Sequence, residues 1–410
     1  MKKLFIAIFS LSILVLSGCN SKEEENTSGK EKITVWAMGE EAIKLNIMEK
    51  KFEEINPTYD VEIQAIPWDM VHTKVLTAIT GGDTPDVAQI GTSLMAEYQW
   101  IGSFENLTQH LKTTNINPEK FIESTLPSNE FNGELFGIPW YTETRVFFYR
   151  KDLLNKVGYD SFPTTWEELM DLTAKLKVAG IRYPLTIPIK DPNTPAELYS
   201  FIWQNGTDVI DENKNILVTN DKFQEAISMY TGFFSRKEAP LEMGGELTQE
   251  FQQGNLGMFI GGPWMINILK NTTPEVMKNL GLATMPKKET KDSFVGGSNL
   301  VIFKDAKNKE GALKFIEFLS QEENQIEWFK LTNNLPVIKS AWKDEAINSD
   351  ELLQVFKEQL NYAKSPKNIK ETSKINAALG NKVEEIIFGK TDVEKGMKEL
   401  EKELESIIKK

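Results

Sequence analysis

Between residues 33 and 90, short apolar runs alternate with amphipathic stretches. Ile33-Thr34-Val35-Trp36-Ala37 is rich in β-branched and aromatic residues and predicts a buried strand. Ile43, Ile47, Met48, Phe52 and Ile55 then recur at helical spacing, until Asn56-Pro57 stops the helix. Residues 61–66 alternate as a strand does. Val71, Val75, Leu76 and Ile79 outline a second helix ending at Gly81-Gly82, and residues 86–90 give a third short strand. This strand–helix–strand–helix–strand order predicts an α/β fold whose parallel sheet carries helices on both faces. Farther along, residues 146–149, 184–187 and 257–260 read as strands, and Thr165 with Glu168 supplies a capping box for a helix. Residues 311–331 and the stretch from 350 onward are mainly helical in pattern.

The start of the chain differs in kind. Met1-Lys2-Lys3 is basic, and residues 4–16 are apolar apart from Ser10 and Ser12, a run that fits a signal-peptide core better than a membrane span. It ends in Leu16-Ser17-Gly18-Cys19, which resembles a bacterial lipobox. The resemblance implies cleavage after residue 18 and lipidation of Cys19, the chain's single cysteine, so no internal disulfide is expected. Residues 19–32 then read as a polar tether.

At 410 residues, with 40% hydrophobic and 26% charged side chains, the chain has the profile of a soluble globular protein and is long enough for two domains. Its formal charge is −13, and removal of residues 1–18, which hold two lysines and no acids, would take it to −15. An acidic surface of this kind argues against nucleic acid as a partner. The catalytic inventory is thin. His72 and His110 are the only histidines and neither sits in a metal-ligand pattern. Gly389-Lys390-Thr391 lacks the upstream glycine of a phosphate-binding loop, and no serine completes a nucleophile-elbow motif. Glu40 and Glu143 could serve as the paired carboxylates of a glycosidase. No cofactor is called for.

Several segments, taken in order, resemble the extracellular solute-binding proteins of ABC importers, in particular the maltose- and oligosaccharide-binding group. They are Ile33-Thr34-Val35-Trp36 with Gly39-Glu40, and Gly81-Gly82-Asp83-Thr84-Pro85-Asp86-Val87. Gly137-Ile138-Pro139-Trp140 follows, with Tyr149-Arg150-Lys151-Asp152-Leu153-Leu154, and then Pro163-Thr164-Thr165-Trp166-Glu167-Glu168-Leu169. Phe251-Gln252-Gln253-Gly254 leads into Gly257-Met258-Phe259-Ile260-Gly261-Gly262-Pro263-Trp264, and Gly296-Gly297-Ser298-Asn299-Leu300 closes the set. The resemblance implies a two-lobed periplasmic-binding-protein-like fold with a central cleft and a hinge. One lobe would hold residues 33–141 and 299–330, the other 142–298 and 331–410, with crossings near Thr142, Ser298 and Asn333. It further implies no enzymatic activity, a carbohydrate ligand, ABC permease subunits as partners, a monomeric state and a lipid anchor on the outer face of the cell membrane.

A sugar-binding site needs aromatic faces and polar groups that pair with adjacent hydroxyls. On the resemblance, Trp264 is the stacking tryptophan and Glu143 a ligand-contacting acid. Trp140 and Tyr141 lie in the first crossing, and Arg145 is read as the partner that orients Glu143. Glu40 follows the first strand, Thr92 and Ser93 the third. Trp203, Ser298, Asn299 and Trp68 complete the candidates, while Trp36, Trp166 and Trp328 are expected in the core. The same acid-and-aromatic set would also suit a cationic solute such as a polyamine, and the sequence leaves that alternative open.

Overall fold

The computed structural model describes residues 29–189 and 194–408. The expected signal sequence, Cys19 and most of the expected tether therefore lie outside the described residues. Strand β1 (Glu31–Met38), helix α1 (Gly39–Ile55), β2 (Tyr59–Ile66), α2 (Val71–Gly81), β3 (Val87–Gly91) and α3 (Met95–Ile101) follow one another. The three strands pair in parallel in the order β3-β1-β2. Alternation in β1 sends Ile33, Val35 and Ala37 to one face, where they pack with Leu45, Phe52, Phe315 and Trp328. Trp36 and Met38 go to the other, with Val71, Val75 and Tyr98. The chain stops α2 with Gly82 in the left-handed conformation, as its glycine pair predicts.

Helix α1 forms where expected but buries a different stripe. Ala42, Leu45, Met48 and Phe52 face the sheet, whereas Ile43 and Ile55 are each 66% exposed and Ile47 is 40% exposed. Met48 and Phe52 belong to both helical series, and the series through Leu45 is the one the sheet covers.

A short hairpin, β4 (Glu130–Phe131) with β5 (Glu134–Leu135), precedes β6 (Ile138–Thr144), which passes through Arg145 into β7 (Val146–Arg150). Helices α4 (Lys151–Lys156) and α5 (Trp166–Val178) come next, then β8 (Tyr183–Thr186), α6 (Thr194–Gln204), α7 (Asp221–Ser235) and α8 (Leu247–Gln253). Strand β9 (Leu256–Gly261), α9 (Trp264–Thr272) and β10 (Leu280–Ala283) complete a second sheet of order β10-β7-β9-β8. Thr165 and Glu168 make the reciprocal bonds of the capping box that starts α5. Phe147 packs with Trp166, Phe201 and Tyr230 on one side of this sheet, and Val146 and Phe148 with Phe259 and Phe356 on the other.

The chain returns through β11 (Ser293–Ile302), α10 (Lys309–Leu319), α11 (Glu322–Thr332) and β12 (Leu335–Pro336). Helices α12 (Glu345–Asn348) and α13 (Glu351–Leu360), strand β13 (Ala363–Lys364), α14 (Thr372–Ile387) and α15 (Val393–Ile408) finish the second half. Strand β11 pairs with β6 along residues 295–300, but with β3 only from Ser298 onward, and its first residues pair instead with β13. Its N-terminal end therefore leaves the first sheet and packs on α6, where Ser200 Oγ accepts from the Phe294 N–H at 3.1 Å. Strands β6, β11 and β12 thus lie side by side at the junction of the two halves, and the register of β11 on β6 shifts between Ser298 and Asn299.

Candidate functional site

The junction strands gather two polar clusters. The first centres on Tyr141, a buried residue of β6. Gln89, wholly buried in β3, donates from Nε2 to Tyr141 Oη at 3.0 Å and to Ser298 Oγ at 3.0 Å, and Ser298 Oγ donates to Tyr141 Oη at 3.1 Å. The Gln89 carbonyl is held by the Met38 N–H at 2.8 Å, at the point where β1 becomes α1. Tyr141 Oη in turn donates to Glu41 Oε1 at 3.1 Å. Asn334 Nδ2 reaches the same oxygen at 3.5 Å, and the Trp68 indole also donates to Glu41. The Trp68 ring lies across Gly39 and Gly91, where a Cβ would fall 3.2 and 3.4 Å from it, and the residue is 45% exposed. Thr92 Oγ1 donates to the Gly297 carbonyl at 3.2 Å, tying the end of β3 to β11.

The second cluster centres on Arg145, only 3% exposed at the β6–β7 junction. Nη1 donates to Glu143 Oε1 at 3.0 Å and Nε to Glu197 Oε1 of α6 at 3.0 Å. The guanidinium carbon stands 4.7 Å from the centroid of the Trp264 ring, a cation–π contact. Trp264 opens α9 and folds back over Gly262, where a Cβ would fall 1.8 Å from its ring. Gly296 and Gly297 make the clusters possible. The first leaves room for the Glu143 carboxylate; the second has φ +121° and presses against the Tyr141 carbonyl, so only glycine suits it.

Burial pushes the Glu41 carboxyl above the usual carboxylate range, against hydrogen bonds from its own backbone and from Tyr141, Asn334 and Trp68 that favour the charged form. Burial also drives the Tyr141 phenol far up, reinforced by the carboxylates of Glu41 and Glu143. That double influence marks Tyr141 as the link between the clusters. Burial works against the charge on Arg145, but Glu143 and Glu197 more than offset it, and its pKa rises.

Tyr141 and Trp68 thus bond to Glu41, Ser298 joins them through Tyr141, Thr92 is tied to the neighbouring Gly297 carbonyl, and Glu143 and Trp264 meet around Arg145. Ser93 is exposed at the end of β3, beside Thr92. Three other candidates require correction. Trp140 alternates with Tyr141 and Glu143 and therefore points to the opposite face of β6, where its ring stacks on Trp328 at 4.4 Å in the core. Asn299 alternates with Ser298 in the same way and accepts from Asn129 Nδ2 at 2.7 Å inside the first half. Trp203 is packed in the second core beside Tyr199. Glu40 is exposed on the first turn of α1, and its neighbour Glu41 is the acid that bonds to Tyr141. Glu41 was legible in principle, since it stands four residues before Leu45 on the buried stripe. Gln89, a polar residue inside a short apolar strand, was another available signal. Trp36, Trp166 and Trp328 are in the core as expected.

The two halves also touch away from these strands. Ser373 Oγ of α14 donates to Glu97 Oε2 of α3 at 3.0 Å. Asn368 Nδ2 donates to Gln99 Oε1 at 2.6 Å and to the Glu130 carbonyl at 3.1 Å. His72 pairs with Glu97, and His110 with Glu105, both at the surface. No group of three or more His, Cys, Asp or Glu among the described residues could hold a metal, and no helix among them is long and apolar enough to cross a membrane. What the clusters offer is carboxylate acceptors, an arginine and aromatic rings: equipment for binding a polar solute.

A family model for bacterial extracellular solute-binding proteins matches residues 37–326. The maltodextrin-binding protein of Bacillus subtilis is 26% identical over 390 residues, covering 90% of this chain and 89% of its own. The galactooligosaccharide-binding protein of the same organism is 24% identical over 399 residues, covering 92% and 90%. Among solved structures, the sugar-binding protein MalE of Xanthomonas citri superposes with a TM-score of 0.84 at 29% identity, covering 92% of this chain and 97% of that one.

Proposed function

The chain belongs to the bacterial extracellular solute-binding proteins, and from that premise we propose that it captures a neutral oligosaccharide and delivers it to the permease subunits of an ABC importer. Members of this family are binding proteins rather than enzymes, and they work outside the cytoplasm. The observation that carries the sugar reading is the pairing of acids with aromatic rings at the junction strands: Glu41 with Trp68 and Tyr141, and Glu143 with Arg145 and Trp264. Planar carboxylates accept from neighbouring hydroxyls and rings cover the C–H faces of a sugar. The relatives named above, which bind maltodextrin and galactooligosaccharide, support the same class.

In this reading the lobes divide within β6, β11 and β12, and the solute bridges them. It then binds the closed arrangement better than the open one and shifts the population towards closure. The mature chain acts as a monomer held to the outer membrane face by lipid on Cys19, which keeps its concentration high near the permease. The test is a thermal-shift and calorimetric screen with maltotriose, galactotriose, spermidine and glycerol phosphate. A ligand of the folded state must raise its melting temperature. Stabilisation by spermidine or glycerol phosphate, with neither trisaccharide binding, would overturn the carbohydrate assignment.

A further inference from the structure

We infer that Arg145 is itself a ligand contact and sets specificity, its free guanidinium edge and the Glu143 carboxylate forming a donor and an acceptor side by side for two adjacent oxygens of a neutral polyol. The inference rests on the carbohydrate reading above.

A guanidinium carries five N–H donors in a rigid fork. Two are committed, Nε to Glu197 and one on Nη1 to Glu143. Among the described residues Nη2 meets no acceptor, although the side chain is only 4% exposed. The guanidinium is largely shielded from water by the groups around it, so an oxygen that reaches its remaining N–H groups gains more than it would at an exposed arginine. The fork is held in place from three elements: β6 through Glu143, α6 through Glu197 and α9 through the Trp264 ring. It therefore has little freedom to swing away when ligand arrives. Glu143 is the more open partner, its side chain 20% exposed, and its Oε2 has no donor among the described residues. Donor and acceptor thus sit on one planar ion pair, the complement of a vicinal diol, in which one hydroxyl accepts from Nη2 while its neighbour donates to Oε2. Two carboxylates around one guanidinium also leave the cluster with net negative charge, which disfavours phosphates and other anions.

The experiment is calorimetric titration of the full chain with maltotriose and galactotriose, and with monodeoxy forms of whichever binds. It compares wild type with Arg145→Lys, and with the double variant Arg145→Gln/Glu197→Gln. Lysine keeps the charge between the two acids but lacks the fork; the double variant removes the two most buried charges together and leaves only Glu143, the more exposed acid, without its cation. Both variants are expected to bind about 10- to 100-fold more weakly. In wild type, one deoxy position should carry a penalty of about tenfold or more, and that penalty should vanish in Arg145→Lys. Affinity within about twofold of wild type, or an identical deoxy profile in wild type and variant, would show Arg145 to be only an ion-pair partner and overturn the inference. A wild-type chain that binds neither trisaccharide overturns the carbohydrate reading instead, and this inference with it.

Discussion

The Glu143 carboxylate occupies the space that a side chain at Gly296 would fill: a Cβ there would fall 2.4 Å from Oε1 and 2.9 Å from Cγ. A backbone strand and the acid it serves are thus fitted by the absence of one atom. The neighbouring Gly297 is constrained differently, by φ +121° and a Cβ position 2.2 Å from the Tyr141 carbonyl. Gly296→Ala is expected to displace the Glu143 side chain and weaken sugar binding by about tenfold or more, with a melt close to wild type. Gly297→Ala meets backbone, which cannot swing aside, and should cost about 2–4 kcal/mol of stability. Paired calorimetry and thermal melts check both, and a Gly296→Ala variant of unchanged affinity would remove Glu143 from the site.

Trp264 offers the ring of the second cluster, with Arg145 against it. Trp264→Ala should abolish or strongly reduce sugar affinity, by about 100-fold, while unfolding stays cooperative because the residue is only partly buried at the start of α9. Titration with the best-binding trisaccharide decides it. Wild-type affinity would exclude the stacking role.

Glu41 gives the site a pH signature. Its folded pKa is raised by burial above the ordinary value of 4.5, so folding favours the protonated acid. Its contribution to stability is complete below that ordinary value and is lost as pH rises through the folded pKa. Glu41→Gln keeps an acceptor for Tyr141 without the ionisation. Its melting temperature relative to wild type should therefore climb as pH rises from the ordinary carboxylate value of 4.5 through the higher folded pKa. A difference that stays flat across that interval would contradict the burial argument.

The contact of α3 with α14 and the segment just before it touches neither cluster yet joins the two halves. Its hydrogen bonds form only when the halves lie in this relative arrangement. Replacing Asn368 and Ser373 together by alanine should favour the open form and raise the apparent Kd about three- to tenfold. Small-angle scattering of the free protein should show a larger radius of gyration. A double variant that matched wild type in both measurements would make the contact incidental.

Local chemistry in the chain was enough for the strand and helix order, the parallel trio β3-β1-β2 of a mixed first sheet, the capping box at Thr165, the glycine stop after α2 and the core role of Trp36, Trp166 and Trp328. Each depends on residues within a turn or two of one another, and on the periods of two and 3.6 that separate the faces of strands and helices. The same periods place Tyr141 with Glu143 and set Trp140 and Asn299 on opposite faces from their neighbours, once the inward face is known. Which face is inward was decided only by tertiary packing. The sheet, not the helix, determines whether α1 buries Ile43 and Ile47 or Leu45 and Met48, and hence whether Glu40 or Glu41 joins the cluster. The meeting of Gln89 with Ser298, and of Arg145 with Glu197 and Trp264, spans many tens of residues or more. Hydrogen bonds and ion pairs act over a few ångströms, so such partners exist only after the strands have been laid side by side.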